Sequence, residues 1–251
     1  NEPLNETWLS DRDRYSQQGL YDDDRVLAPQ VKENGEWKTV SWNEAIETVA
    51  GLLRENANDA GMLMSPSAAT EEYFLAQSIM RQLGNGNIDH RLRQADFAHD
   101  GAAPAFEMKV AQMDSCDAVL LVGSNPRQEA PIIGHRLRQA GRNGALISAY
   151  NPLDWALNFN TSLDVTSAPQ RQVADLAALA AAVEKQTGKP LPQGLRNVVD
   201  NAAPGEAQEA LAGRLGEAGH GLVLMGQAAL AHPDASLLRV LSEWIAAATG
   251  C

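Results

Sequence analysis

The stretch Asp117-Ala118-Val119-Leu120-Leu121-Val122-Gly123 constrains the fold more than any other part of the chain. Its apolar residues are continuous and not alternating, so both faces require burial, as in a strand inside a parallel sheet. Ser124-Asn125-Pro126 follows at once, and Pro131 and Gly141 then mark the start and end of a helix. Gly221-Leu222-Val223-Leu224-Met225-Gly226 repeats the apolar strand with its closing glycine, and 236–248 reads as a final helix. Parallel strands need crossover connections, so helices must alternate with them.

The rest of the chain keeps this rhythm. Val31 to Val40 holds Asn34-Gly35 between two short runs, a hairpin signal. Ser41-Trp42-Asn43-Glu44 has capping-box spacing, and the helix after it places Ala45, Ile46, Val49, Leu52 and Leu53 on one face. A strand over 61–65, a helix over 70–83, a strand over 145–150 and helices over 172–186 and 205–215 complete the expected elements. The Pro, Gly and Asn content of 188–205 predicts loop. The alternation predicts an α/β fold with helices layered on parallel sheet.

Charge and cysteine content remove several functions. The chain has 251 residues, with 20 Lys and Arg against 32 Asp and Glu, a net charge of −12. That balance excludes a nucleic-acid surface, which needs clustered cations. The two cysteines, Cys116 and Cys251, are too few for an iron–sulfur cluster or a four-thiolate metal site, and read as reduced thiols. No apolar run approaches the ~18 residues of a membrane span. The chain begins at Asn1 and stops at Cys251, and is expected to be a piece of a longer protein.

Gly123, Ser124 and Asn125 are the candidate site. A strand that ends in Gly-Ser-Asn before a helix can turn backbone amides toward an anion. The same residues also make an ordinary tight turn, and no complete GxGxxG or GxxxxGK[ST] pattern accompanies them. The histidines, at 90, 99, 135, 220 and 232, lack metal-ligand spacing. Asp22-Asp23-Asp24 lacks the alternation of a calcium loop, and no nucleophile elbow is present. Asp11-Arg12-Asp13-Arg14 and Arg91-Leu92-Arg93 concentrate charge and read as salt-bridged surface.

Four segments taken in order resemble the molybdopterin oxidoreductase family. They are Leu9-Ser10-Asp11-Arg12-Asp13-Arg14, Val40-Ser41-Trp42-Asn43-Glu44-Ala45, Asp117 to Pro126 with Pro131, and Leu224-Met225-Gly226 through Thr249-Gly250. Within that family, Asn5-Glu6-Thr7-Trp8-Leu9-Ser10-Asp11-Arg12-Asp13-Arg14-Tyr15 is most similar to the large peripheral-arm subunits of bacterial NADH:quinone oxidoreductases (respiratory complex I). Three departures separate the chain from an active molybdenum enzyme. Ser10 stands where the family has a cluster cysteine, Ala95 or Asp96 where active enzymes carry Cys or selenocysteine, and Asn151-Pro152-Leu153 where they carry Asp-Pro-Arg.

The resemblance implies a three-layer αβα fold of two interleaved lobes, of the formate dehydrogenase and DMSO reductase type. The expected division is an irregular segment 1–40, a first lobe 41–110 plus 216–251, and an inserted lobe 111–215. It further implies a degenerate scaffold without molybdenum, and no catalytic residue or cofactor in this stretch. Iron–sulfur clusters would lie in an upstream part of the full-length chain. The implied partners are the other peripheral-arm subunits, at the cytoplasmic face of the bacterial inner membrane, in a complex passing electrons from NADH to quinone. Two alternatives stand beside it: an active formate dehydrogenase-type enzyme with Asp96 on the metal, and a free-standing nucleotide-binding protein using the Gly123 loop.

Overall fold

Two short helical segments, α1 (Glu2–Asn5) and α2 (Asp11–Tyr15), lead into the chain. The structure, a computed structural model, describes residues 2–91, 95–99, 106 and 108–251, leaving out the side chain of Arg12; Leu92 and Arg93 of the basic stretch lie outside it. Its internal contacts divide the chain into two units, Arg12–Gln94 on one hand and Asn1–Asp11 with Ala95–Cys251 on the other. By connectivity the 12–94 unit is the insertion, unlike the expected insertion of 111–215.

In the 12–94 unit, Asn34 (φ 51°) and Gly35 (φ 92°) both lie in the left-handed region. That is the backbone of a type I′ turn, and it joins the antiparallel strands β1 (Gln30–Glu33) and β2 (Glu36–Thr39). Ser41 caps α3 (Trp42–Glu55): its hydroxyl accepts the Glu44 N–H at 3.2 Å, as the spacing predicts. Strand β3 (Met62–Leu63), helix α4 (Thr70–Gln82) and strand β4 (Ile88–Asp89) follow, with β3 and β4 parallel. Asn85 clamps the turn before β4, donating to the carbonyls of Ala57 (2.5 Å) and Ala60 (2.8 Å) and accepting from Asn87 N–H.

Among the described residues, the buried apolar side chains of this unit are few: Val40, Ala76 and Met80. The α3 face predicted from helical spacing exists, but it is uncovered. Trp42 is 71% and Ile46 62% exposed, and with Val49, Leu53, Ile79 and Leu83 they line an apolar groove between α3 and α4.

The second unit is built on β5 (Ala118–Val122), the continuous apolar run. Around it lie α5 (Pro126–Glu129), α6 (Pro131–Arg142), β6 (Leu146–Asn151), β7 (Leu163–Thr166), α7 (Pro169–Thr187), α8 (Gln193–Val199), α9 (Glu206–Gly216), β8 (Gly221–Met225), α10 (Gln227–Leu230) and α11 (Ala235–Thr249). The strands form one parallel sheet in the order β7-β6-β5-β8, with Ala118 opposite both Leu146 and Gly221. Ala118, Leu120 and Val122 join a core with residues of α7, α9 and α11, whereas Val119 and Leu121 join another with Leu137 and Ala140 of α6 and Met113. Helices therefore cover both faces, which is why β5 is buried from end to end.

Two sequence expectations change here, and one strand is new. The expected first lobe includes the 221–226 strand, yet β8 pairs with β5 and feeds both of its cores: Leu222 on one face, Val223 and Met225 on the other. An unpaired edge of β5 would leave backbone groups unsatisfied, so a second apolar strand belongs beside it. Within the stretch read as loop, Leu195 and Val199 bury a helix, α8, against α7. Strand β7 carries too weak a pattern to be anticipated; its burial alternates over only four residues.

Arg136, on α6 and only 3% exposed, ties the first residues to this unit. Its Nη1 donates to Glu6 (2.8 Å) and Asp114 (2.7 Å), and its Nη2 donates to the Leu4 carbonyl at 3.2 Å.

Candidate functional site

Strand order reverses around β5, with β6 on one side and β8 on the other, so the crevice beyond the carboxyl ends of β5 and β8 is the topological switch point. Ligands of open α/β sheets bind there. The structure places Gly123, Ser124 and Asn125 in that crevice, directly after β5, and brings Gly226 and Gln227 to them from the end of β8.

The two loops interlock at backbone level. Gly123 has φ 55°, and a Cβ there would stand 2.4 Å from the Ala229 nitrogen. A Cβ on Gly226 would stand 2.3 Å from the Ser124 Cα and 2.6 Å from a Glu129 carboxylate oxygen. Glycine is therefore required at both positions, for close approach and, at Gly123, for the left-handed backbone too. The Gly123 carbonyl accepts the Ala228 N–H at 3.0 Å, and the Val122 carbonyl accepts the Gly226 N–H at 2.9 Å.

The three loop amides each already have an acceptor. Gly123 N–H donates to the Tyr150 carbonyl (2.8 Å), Ser124 N–H to Asn151 Oδ1 (2.9 Å), and Asn125 N–H to Glu129 Oε1 (2.9 Å). Asn151 Nδ2 donates back to the Ser124 carbonyl at 3.3 Å. The other Glu129 oxygen accepts the Gln227 N–H at 3.0 Å. One more acceptor, Asn125 Oδ1, is enclosed here without a hydrogen-bond partner.

This donor set does not fit the phosphate of a pterin dinucleotide. A phosphate oxygen entering the crevice would meet a carboxylate and an amide oxygen, both acceptors, and would have to displace Glu129 and Asn151. Sequence reasoning missed Glu129, Gly226 and Gln227. Glu129 stands four residues after Asn125, one beyond capping-box spacing, and the β8 loop is distant in sequence, so no local signal links them.

Asp96, the metal ligand of one alternative, is engaged at both oxygens. Oδ1 accepts the Ala98 N–H (3.0 Å), while Oδ2 accepts the Ser236 hydroxyl (2.5 Å) and N–H (3.0 Å) at the start of α11. The Ser236 hydrogen bond, first, and the backbone bonds hold its carboxyl below the ordinary range. Ser10, at the position of the family's cysteine, is buried. Burial pushes the Cys116 thiol up to about 11 and also raises that of Cys251. Both thiols are free. Among the described residues no cluster of three His, Cys, Asp or Glu side chains is placed to hold a metal ion.

Residues 25–250 match the molybdopterin oxidoreductase family. A subunit of the NADH-quinone oxidoreductase of Rickettsia felis is 33% identical over 154 residues, covering 58% of this chain and 22% of the relative. The mitochondrial NADH-ubiquinone oxidoreductase 78 kDa subunit of Candida albicans is 27% identical over 206 residues, 79% of this chain and 27% of the relative. The F420-dependent formate dehydrogenase subunit alpha of Methanocaldococcus jannaschii is 26% identical over 191 residues, 73% of this chain and 28% of the relative. The chain thus spans about a quarter of the length of these curated relatives. A parallel α/β body with a Gly-Ser-Asn switch-point loop, matched to one family along nine-tenths of its length (226 of 251 residues), makes this chain a member of the molybdopterin oxidoreductase family, distantly homologous to a subunit of NADH-quinone oxidoreductase.

Proposed function

We propose that this chain is a cofactor-free scaffold segment of the large peripheral-arm subunit of a NADH:quinone oxidoreductase, a complex that passes electrons from NADH through iron–sulfur clusters to quinone. The carrying observation is the filled switch-point crevice, where Glu129 and Asn151 take the amides that a pterin phosphate would need. In this reading the clusters belong to an upstream part of the full-length polypeptide. No residue of this stretch performs chemistry in this reading.

The uncovered α3 groove supports a packing role. Contiguous apolar surface of this kind marks protein contact, and Trp42, Ile46 and Val49 supply it. The neighbours proposed are other peripheral-arm subunits at the cytoplasmic face of the bacterial inner membrane. Among the described residues no helix is long and apolar enough to cross a membrane.

The full-length protein, tagged and purified under mild conditions, tests the reading. It is expected to bring NADH dehydrogenase activity and partner subunits with it, and Ile46→Glu with Val49→Glu is expected to reduce that recovery. Recovery as a lone formate-oxidising enzyme would overturn it. Similarity to the formate dehydrogenase subunit alpha is what favours that second reading, with Asp96 as the metal ligand.

A further inference from the structure

We propose that Glu129 is the group that closes the switch-point crevice, a carboxylate supplied by the chain itself where a related fold would receive the anion of a ligand. The inference rests on the scaffold reading above and names the residue that enforces it.

Three observations support it. Glu129 divides its oxygens between the two loops, Oε1 to Asn125 N–H at 2.9 Å and Oε2 to Gln227 N–H at 3.0 Å. The loops it bridges follow β5 and β8, the two strands that flank the point of order reversal. The seat is tight on the β8 side: a single carbon added at Gly226 would reach Glu129 Oε2 at 2.6 Å. A phosphate ester is larger than a carboxylate and carries charge of the same sign as the group already seated. Because the carboxylate is tethered, it meets the two amides at an effective concentration that a free anion must exceed. Glu129 therefore both joins the loops and excludes an anionic ligand.

Glu129→Ala removes the carboxylate and leaves two N–H groups facing a space of its size. The probe is sodium acetate against sodium chloride at matched ionic strength, read by thermal unfolding. The variant is expected to unfold at lower temperature than wild type, and acetate to restore about half of the loss in a saturable way, as binding to the folded state requires. Wild type is expected to respond alike to the two salts. Equal effects of acetate and chloride on the variant, or an equal gain from acetate in wild type, would overturn the proposal.

Glu129→Gln keeps the volume but turns an NH2 toward one of the amides. It is expected to lose stability without recovering it in acetate; recovery there would count against the proposal. Should Glu129→Ala not fold, amide exchange in wild type decides: protected Asn125 and Gln227 amides are expected, and free exchange at both would overturn it. Pterin found on the full-length protein would overturn the scaffold reading by itself. Failure of acetate rescue in a pterin-free protein would overturn this inference alone.

Discussion

Asn151, the last residue of β6, holds both backbone groups of Ser124: Oδ1 accepts its N–H at 2.9 Å and Nδ2 donates to its carbonyl at 3.3 Å. Both residues are buried, so removing the amide leaves the Ser124 N–H and carbonyl away from bulk water. Asn151→Ala strands one donor and one acceptor, and should lower unfolding free energy by about 2–4 kcal/mol in urea titration.

The interlocked glycines give a contrast within one chain. Gly226→Ala forces a carbon into the Ser124 backbone and should cost about 3 kcal/mol or more. Gly144→Ala meets open space at φ 104°, so only backbone strain opposes it, about 1–2 kcal/mol. Denaturant midpoints of the two variants, measured side by side, check the order.

Arg136 should govern the attachment of residues 2–8. Arg136→Ala leaves Glu6 and Asp114 without their cation, and Trp8 loses its anchored position against His135, whose ring lies 5.7 Å away. Both carboxylates are partly exposed, so the loss is expected near 2–3 kcal/mol, below the usual cost of breaking a fully buried pair. Limited proteolysis should cut the variant within its first ten residues or so well before wild type.

Asp96 links acid stability to the start of α11. Its folded-state carboxyl lies below the ordinary value, so its contribution is present above about pH 4 and is lost as pH falls through the lowered value. Asp96→Asn should therefore be less stable than wild type at pH 7, by about 1 kcal/mol, and the gap should narrow in acid. A gap that widens on acidification would contradict this link between Asp96 and Ser236.

Cys116 has its thiol raised to about 11 by burial, so the neutral form is stabilised by the fold. That stabilisation is complete below the unfolded thiol's value of about 8.5 and declines as pH rises toward the folded one. At pH 8 a thiol reagent should label Cys251, which is only partly buried, at least about tenfold faster than Cys116. Equal rates would contradict the burial.

What the sequence made legible was local. The unbroken run at 118–122 announced a strand buried on both faces, Asn34-Gly35 announced the hairpin, and Ser41 announced its cap. The spacing of Ile46 and Val49 predicted their shared face, but periodicity cannot say whether that face is covered. Pairing was the larger loss. Nothing local tells β8 to sit beside β5, and this single pairing rearranges the expected lobes. At the site, Gly123, Ser124 and Asn125 were visible as a strand-ending turn, whereas the groups that satisfy them arrive from Glu129, Asn151 and the β8 loop. Those partners are fixed by tertiary approach, which a reading along the chain does not supply.

With Glu129 and Asn151 occupying the loop amides, the proposed scaffold has no seat for a pterin phosphate. Quantifying molybdenum and pterin in the full-length protein, purified from cells that make the cofactor, tests that most directly. Neither is expected above trace level; one pterin with one molybdenum per chain would contradict the scaffold reading.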